Sequence, residues 1–331
     1  MGNRVALAAA AIVIVAYPFA FGSETAINIG VLVLLFAMLG TAWNLVGGYA
    51  GQLSFGHAVF FGTGAYTSTL LLKQFGISPW VGMLAGAALA ATVAVAVGWP
   101  TFRLSGHYFA IATMLVGEIT YTVVRNADAL GGARGQALPI LPSTLLNYQF
   151  HEGRMPYYFT ALALYAFALL VTFAVERRRI GYYLRAIRED QTAAQSIGVP
   201  VLRYKLSAAA LSAALTALGG TFYAQYVLFI DAETVFSLYL ISVPIVLVTV
   251  LGGAGHAFGP LLGAAVLIPL TELSRIAFGG TGRGLDLVIY GGLIVLVAVL
   301  HPDGLVTVPR RLRRFVGSVP KRFSSSQPGS S

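Results

Sequence analysis

The chain has 331 residues, of which 57% are hydrophobic and only 10% are charged, and its net charge is +9. Soluble domains carry about 25% charged residues, so this composition excludes an ordinary soluble domain. Cysteine is absent, which excludes disulfides, zinc–thiolate sites and thiol nucleophiles. The positive charge does not indicate nucleic-acid binding, because the basic residues cluster at the ends of apolar stretches, as membrane topology requires.

Ten apolar stretches follow one another along the chain, and each is long or nearly long enough to cross a bilayer, which takes about 20 residues. The third is short and rich in glycine and the eighth is short and contains Pro244, so both are candidates for broken or re-entrant helices. The sequence therefore predicts an all-α polytopic membrane protein with about ten transmembrane helices, or eight to nine if the short stretches do not cross. The stretches are approximately Val5–Phe21, Ala26–Val46, His57–Leu72, Trp80–Val97, Tyr108–Val124, Tyr157–Val175, Leu206–Phe229, Leu238–Leu251, Phe258–Phe278 and Leu285–Leu300.

The lysines and arginines predict how these helices are oriented. If the N-terminus lies inside and every stretch crosses, 15 of the 21 Lys and Arg residues fall on the inside. Cytoplasmic loops carry such an excess, so we expect both termini to be cytoplasmic. The transmembrane domain is then residues 1–308, with a cytoplasmic loop at 176–205, and residues 309–331 form a basic and then Ser-rich cytoplasmic tail.

The first stretch has a second interpretation, as a cleaved signal peptide. Arg4, the apolar run and the small residues near Ala20–Ser23 fit that pattern. We expect an uncleaved helix instead, because the next apolar stretch starts within a few residues.

Catalytic and cofactor motifs are missing from the sequence. No Gly-x-x-x-x-Gly-Lys-Ser/Thr loop is present to bind nucleotide phosphates, so the chain is not expected to hydrolyse ATP. Its five histidines are scattered without the spacing of metal ligands. We therefore expect no catalytic residue, no metal site and no cofactor on this chain.

The loop at 176–205 contains the most informative pattern. Good helix formers lie between Gly181 and Gly198, and Pro200 prevents continuation of a helix. The sequence predicts a short amphipathic helix there, which either docks into a groove of another protein or lies flat on the membrane. Four apolar residues are spaced to share one face of it: Leu184, Ile187, Ala194 and Ile197.

Polar residues inside the apolar stretches are candidates for a solute pathway. Glu118 lies within the fifth stretch, with His107 near the same helical face. The alternative is a structural hydrogen bond to a neighbouring helix. A second polar cluster surrounds a glycine-rich break, whose free backbone groups can bind a carboxylate, although inter-helix packing is the competing interpretation. Its members are Asn44, Gln52, Ser54 and His57. Glu272 and Arg275, three residues apart, are expected to pair.

Several blocks of sequence resemble the branched-chain amino acid ABC transporter permeases of the LivM type. The blocks occur in family order, cover roughly residues 26–306 and are specific in combination. They are GGYAGQLSFGHA (47–58), RLSGHYFAIAT (103–113) with Gly117-Glu118-Ile119, GYYLRAIREDQTAAQSIGV (181–199), VLGGAG (250–255) with GPLLGA (259–264), and HPDGL (301–305).

The resemblance implies a permease subunit in a bacterial cell (inner) membrane. Its implied partners are a homologous LivH-type permease, two ATP-binding subunits and a periplasmic or extracellular solute-binding protein. It also implies that residues 181–199, hereafter the coupling segment, contact the ATPase, with charged residues at the rim of the contact. The residues implied in ATPase coupling are Gly181, Leu184, Arg185, Ile187, Arg188, Glu189, Asp190, Ala194, Ile197 and Gly198.

Three alternatives remain open at the level of sequence. The family also includes importers of urea and short amides, so the resemblance fixes the machinery better than the solute. A stand-alone secondary transporter could use Glu118 as a proton or ion site, but the docking helix and the lack of further buried acids argue against it. A membrane-embedded enzyme is disfavoured by the missing catalytic groups. His256, Ala257 and the basic extension from Arg310 to Arg322 depart from the family pattern.

Overall fold

The computed structural model describes residues 12–151, 153–277, 288, 291–292 and 304–307. Most of these residues are helical, as the apolar stretches predict. Residues 12–20 form a helix, α1, and the following helices run in chain order. They are α2 (Glu24–Asn44), α3 (His57–Phe75), α4 (Pro79–Thr101), α5 (His107–Asn126), α6 (Met155–Arg177), α7 (Arg179–Glu189), α8 (Gln191–Ser196), α9 (Val201–Val227), α10 (Ala232–Val235), α11 (Val243–Gly252) and α12 (Gly259–Ala277).

Helix α2 is the centre of the molecule. It begins at Ser23, whose hydroxyl accepts a hydrogen bond from the backbone of Ala26, and it continues as a π-helical turn over Leu45–Tyr49. It packs against α6, α9, α11 and α12. In the apolar part of this helix 83% of the residues are buried, against 22% for α5, so α2 lies inside the bundle and α5 at its edge.

Glycine allows α3, α4 and α9 to pack closely. A Cβ added at Gly64 would overlap the carbonyl oxygen of Ala217, and one at Gly220 would overlap that of Phe61. An added Cβ at Gly86 would lie 3.1 Å from the Cα of Gly64. The three helices are therefore in backbone contact, as small residues permit in membrane proteins.

The long loop between α5 and α6 forms a cap over the end of the bundle where α5 ends and α6 begins. Within it, β1 (Gln136–Ala137) pairs antiparallel with β2 (Phe229–Ile230). The Tyr148 ring stacks on Trp80 with centroids 4.3 Å apart, and burial raises the pKa of the Tyr148 hydroxyl well above its usual range. These contacts attach the long loop before α6 to the helix ends beneath it.

Seven helices among the described residues are long and apolar enough to cross a membrane. The expected tenth span, Leu285–Leu300, lies outside the described residues except at 288, 291 and 292, as does the tail at 309–331. The first expected span is described only from residue 12. A total of about ten spans and the cytoplasmic position of both termini therefore stay predictions. The seven candidates are Glu24–Tyr49, Pro79–Thr101, His107–Asn126, Met155–Arg177, Val201–Val227, Ala232–Gly252 and Gly259–Ile276.

The two short stretches differ from each other. The third was a candidate for a broken helix, but α3 is continuous over 19 residues; it is not among the seven because it is less apolar. The eighth is irregular, as expected: a π-helical turn at Leu238–Ser242 precedes α11. Pro244 lies in the first turn of α11, directly after that π-helical turn, so the irregular backbone comes immediately before the proline.

Candidate functional site

The coupling segment forms two helices where one was predicted. Helix α7 ends at Glu189 and α8 starts at Gln191, with Asp190 extended between them. The Asp190 carboxylate accepts hydrogen bonds from the backbone N–H groups of Thr192, 2.8 Å away, and Ala193, 3.0 Å away. The prediction of a single helix was wrong because Asp190 is a strong N-cap that starts a new helix.

The apolar face of the segment is buried within the chain itself. Ile187 and Ala194 pack with Val199 and Val201 in a small hydrophobic cluster, and Leu184 joins the main core. Ile197 is 79% exposed, so its predicted place on the same face was wrong. The break at Asp190 changes the helical register between Ile187 and Ile197. A partner can therefore reach only the outer face of the segment, which carries Ile197 and Tyr182.

Three polar bridges connect the loop at 176–205 to residues 45–56, hereafter the exit segment, which links α2 to α3. In the first, Arg188 Nη1 donates a hydrogen bond of 2.7 Å to the carbonyl oxygen of Gly48. In the second, Glu176 accepts from Arg185 at 3.1 Å and from the Tyr49 hydroxyl at 2.7 Å. Arg185 and Arg188, expected at the rim of a partner contact, thus also make contacts inside the chain.

The third bridge is centred on Lys205 at the start of α9. Its ammonium group donates to Gln52 at 2.9 Å and to Gln191 at 2.6 Å, and the residue is only 1% exposed. Lys205 was predicted to be a loop residue, because the seventh apolar stretch begins at Leu206. Helix α9 begins directly after Pro200, which places Lys205 within its first turns. The signal that could have identified this residue was a cation inside a helix that continues into an apolar stretch.

Asn44 holds α2 to the turn between α11 and α12. Its side chain accepts from the backbone N–H of Gly255 at 2.8 Å and donates to the carbonyl oxygen of His256 at 3.0 Å. Asn44 is fully buried, so its amide is used in joining elements of the chain. His256, a departure from the family pattern, contributes its backbone to this contact.

Ser54 and His57 are buried where α3 begins. His57 Nε2 and the Ser212 hydroxyl are 2.9 Å apart, and the carbonyl oxygen of Ser54 accepts from Trp43. The two residues line a cavity of about 30 Å³ together with Thr113. Such a space holds about one water molecule, so this cavity is too small for an amino acid.

Glu118, in the second half of α5, is not among the residues that line this cavity. Glu118 is half-buried and makes no hydrogen bond or ion pair within the part of the chain that the structure describes. His107 is exposed at the first residue of α5, about 16 Å along the helix from Glu118. The structure therefore does not bring the two residues together. The predicted pair of Glu272 and Arg275 is confirmed, with 2.6 Å between the charged groups.

A larger cavity opens at the opposite end of the bundle, where sequence analysis predicted nothing. It measures about 730 Å³, and its lining includes Glu24, Asn28 and the rings of Tyr157 and Tyr226. Arg154 also lines it, with its Nε 3.4 Å from the Glu24 carboxylate. The cavity thus offers both signs of charge beside aromatic surface.

The long apolar helices define a polytopic membrane protein. The chain belongs to the family described as the permease component of branched-chain amino acid transport systems, whose sequence profile matches residues 25–298. The family predicted from the sequence blocks is thereby confirmed.

Individual relatives agree with that assignment. The chain is 30% identical to the high-affinity branched-chain amino acid transport system permease protein LivM of Escherichia coli strain K12, covering 93% of this chain and 76% of that protein. It is 25% identical to LivH of the same strain, covering 83% and 92%. A probable LivM of Methanocaldococcus jannaschii is 23% identical, covering 82% and 90%. The comparison with solved structures gives no match.

Proposed function

We propose that this chain forms, with a homologous LivH-type subunit, the transmembrane path of an ABC importer for branched-chain amino acids. Two separate ATPase subunits drive transport, and a periplasmic or extracellular binding protein delivers the solute to a bacterial cell membrane. The observation that carries the proposal is the coupling segment, a pair of short helices bridged to the exit of the central helix in a chain of this permease family.

The orientation follows from charge. The coupling segment lies beside Arg177, Arg178 and Arg179, and the arginine-rich side of a membrane protein is cytoplasmic. ATP-binding subunits work on that side. The exposed Ile197 and Tyr182 give them an apolar contact, and Glu189 supplies a charge at its edge.

The names of the relatives support an apolar amino acid as the solute. The cavity at the opposite, extracellular end also suits such a zwitterion, because Arg154 can face a carboxylate, Glu24 an ammonium group and Tyr157 an apolar side chain. We propose this cavity as the outer vestibule of the subunit.

The solute test is competition for uptake by the assembled importer. Uptake of labelled leucine should be blocked by excess isoleucine or valine and unaffected by urea or acetamide. Uptake of labelled urea or acetamide, with no uptake of labelled leucine, would instead assign the chain to the amide importers of the family.

Glu118 is proposed as a pathway residue on the exposed side of α5. Glu118 itself is half-buried, but four large apolar residues of this helix are exposed, so α5 is free to meet the second permease subunit. These residues are Tyr108, Ile111, Leu115 and Ile119. An ionisable group within a membrane-spanning helix is costly, so its presence there indicates a function.

Glu118→Gln should therefore lower uptake at least about tenfold while the importer still assembles, an effect of about 1.4 kcal/mol on the transport barrier. The matched control is Glu272→Gln, which removes a carboxylate that already has Arg275 as its partner. Normal uptake by Glu118→Gln would leave Glu118 with a structural role only.

A further inference from the structure

Arg188 joins three parts of the chain at one point. It belongs to α7, its guanidinium donates to the carbonyl oxygen of Gly48 in the π-helical end of α2, and it lies against Gly255 in the turn between α11 and α12. A Cβ added at Gly255 would overlap Arg188 Nη1, and one added at Gly51 would lie 3.1 Å from Arg188 Cγ. The side chain thus fits a slot formed by backbone.

The bonded carbonyl belongs to the C-terminal end of the central helix. Carbonyl groups in the last turn of a helix have no partner within the helix, and they carry its partial negative charge. A guanidinium group supplies a hydrogen-bond donor to such a carbonyl group and a positive charge opposite the helix end, because it is always charged and donates hydrogen bonds of fixed direction. Arg188 therefore acts as a C-terminal cap for α2, supplied by a helix 140 residues further along the chain.

The same point is fixed to α11 and α12 by Asn44. Its amide binds Gly255 and His256, so the end of α2 is joined directly to the turn between α11 and α12. The other two bridges hold the same exit segment at Tyr49 and at Gln52. The Arg188 bridge differs from the other two. Among the described residues, it is the one bridge whose side chain contacts both the end of α2 and the α11–α12 turn.

We propose that Arg188 is the positioning residue that transmits movement of the coupling segment to α2 and to the α11–α12 turn. The proposal rests on the proposed function, in which an ATPase moves the coupling segment. The hydrogen bond from Arg188 is directional and fixes α7 to one carbonyl group of α2. A displacement of α7 therefore acts directly on the end of α2. Losing this hydrogen bond should separate ATP hydrolysis from solute movement and leave ATPase binding intact.

The test uses the whole importer in proteoliposomes and measures solute taken up per ATP hydrolysed. Arg188→Gln and Gly255→Ala should each lower this ratio about tenfold, the loss expected for a charge-assisted hydrogen bond. Arg188→Lys should restore part of it, because an ammonium group keeps the charge and one donor. For Gly255→Ala, which changes no residue of the coupling segment, ATPase pull-down and basal ATP hydrolysis should stay within about twofold of the unmodified importer, the range of a minor perturbation.

Two control variants match these changes. Arg203→Gln removes an exposed arginine near the same end of the bundle, one whose side chain has no hydrogen bond or ion pair among the described residues. Gly76→Ala imposes the same left-handed strain as Gly255→Ala, with φ of 64° against 84°, but no atom lies within 4 Å of its added Cβ. Both controls should keep the normal ratio of uptake to hydrolysis.

Three results would overturn the proposal. A normal ratio in Arg188→Gln would show that the cap transmits nothing, and loss of ATPase pull-down would place Arg188 in the ATPase contact. An equal fall in Arg203→Gln would assign the effect to charge alone. If Gly255→Ala does not fold, the Arg188 variants decide the question. Failure of the unmodified importer to couple ATP to uptake would instead contradict the proposed function.

Discussion

Ile197 and Ala194 lie three residues apart in the coupling segment and face in opposite directions. Ile197 is 79% exposed and Ala194 is 3% exposed. Ile197→Asp should leave the fold unchanged, because the side chain has no packing to lose, yet place a carboxylate in the proposed ATPase contact. We expect pull-down of the ATPase to fall at least about tenfold, the loss typical of a hot-spot residue in an interface.

Ala194→Asp is the contrasting variant. It forces a carboxylate into the cluster formed by Ile187, Val199 and Val201, at a cost of several kcal/mol. We therefore expect a lower thermal unfolding temperature for Ala194→Asp and an unchanged one for Ile197→Asp. Normal ATPase binding by Ile197→Asp would mean that the outer face of the segment contacts lipid.

Single residues also limited what the sequence could predict. The apolar spacing of Leu184, Ile187 and Ala194 correctly predicted a buried face, but spacing cannot say whether that face packs on the same chain or on a partner. The bridges from Arg188 to Gly48 and from Tyr49 to Glu176 join residues more than 100 positions apart. No local pattern encodes such pairs, because they depend on how whole helices pack.

At the scale of elements, the contact between α3 and α9 depends on glycine. An added Cβ at Gly64 would meet backbone atoms of Ala217, which cannot rotate away as a side chain can. Gly64→Ala should therefore destabilise the subunit by about 1–3 kcal/mol, the usual cost of overpacking. The measurement is the thermal unfolding temperature of the purified protein.

The control for this substitution is Gly117→Ala in α5. The nearest atom to its added Cβ is the carbonyl oxygen of Phe55, at 4.0 Å, so the methyl group has room. Its unfolding temperature should be unchanged or slightly higher, since alanine favours helix by up to about 1 kcal/mol over glycine. Equal effects of the two substitutions would show that backbone contact between α3 and α9 is unimportant for stability.

The sequence predicted elements better than it predicted sites. Long apolar runs correctly placed α2, α4, α5 and α6 to within a few residues, because burial in lipid requires length and apolarity that composition reveals directly. Asn44, Ser54 and His57 were identified as polar and intramembrane, and they are buried. Their hydrogen-bond partners, which decide between packing and solute contact, follow only from the fold.

At the scale of the whole molecule, orientation is open to direct measurement because the chain has no cysteine. Ser196→Cys, in the coupling segment, should react only with reagents that reach the cytoplasm. Leu146 lies in the cap at the other end of the bundle and is 76% exposed, so Leu146→Cys should react from outside. Reaction of both cysteines from the same side would contradict the proposed topology.

The central feature of the proposed importer is the division of labour between this chain and its partners. The direct measurement is leucine accumulation in proteoliposomes that hold this chain, its sister permease and two ATPase subunits. The binding protein is supplied on the extracellular side of the importer, and ATP is supplied on the side of the ATPase subunits. Accumulation against a gradient should require ATP and every subunit, and liposomes with this chain alone should accumulate nothing. ATP-independent accumulation by this chain alone would contradict the account and identify a secondary transporter.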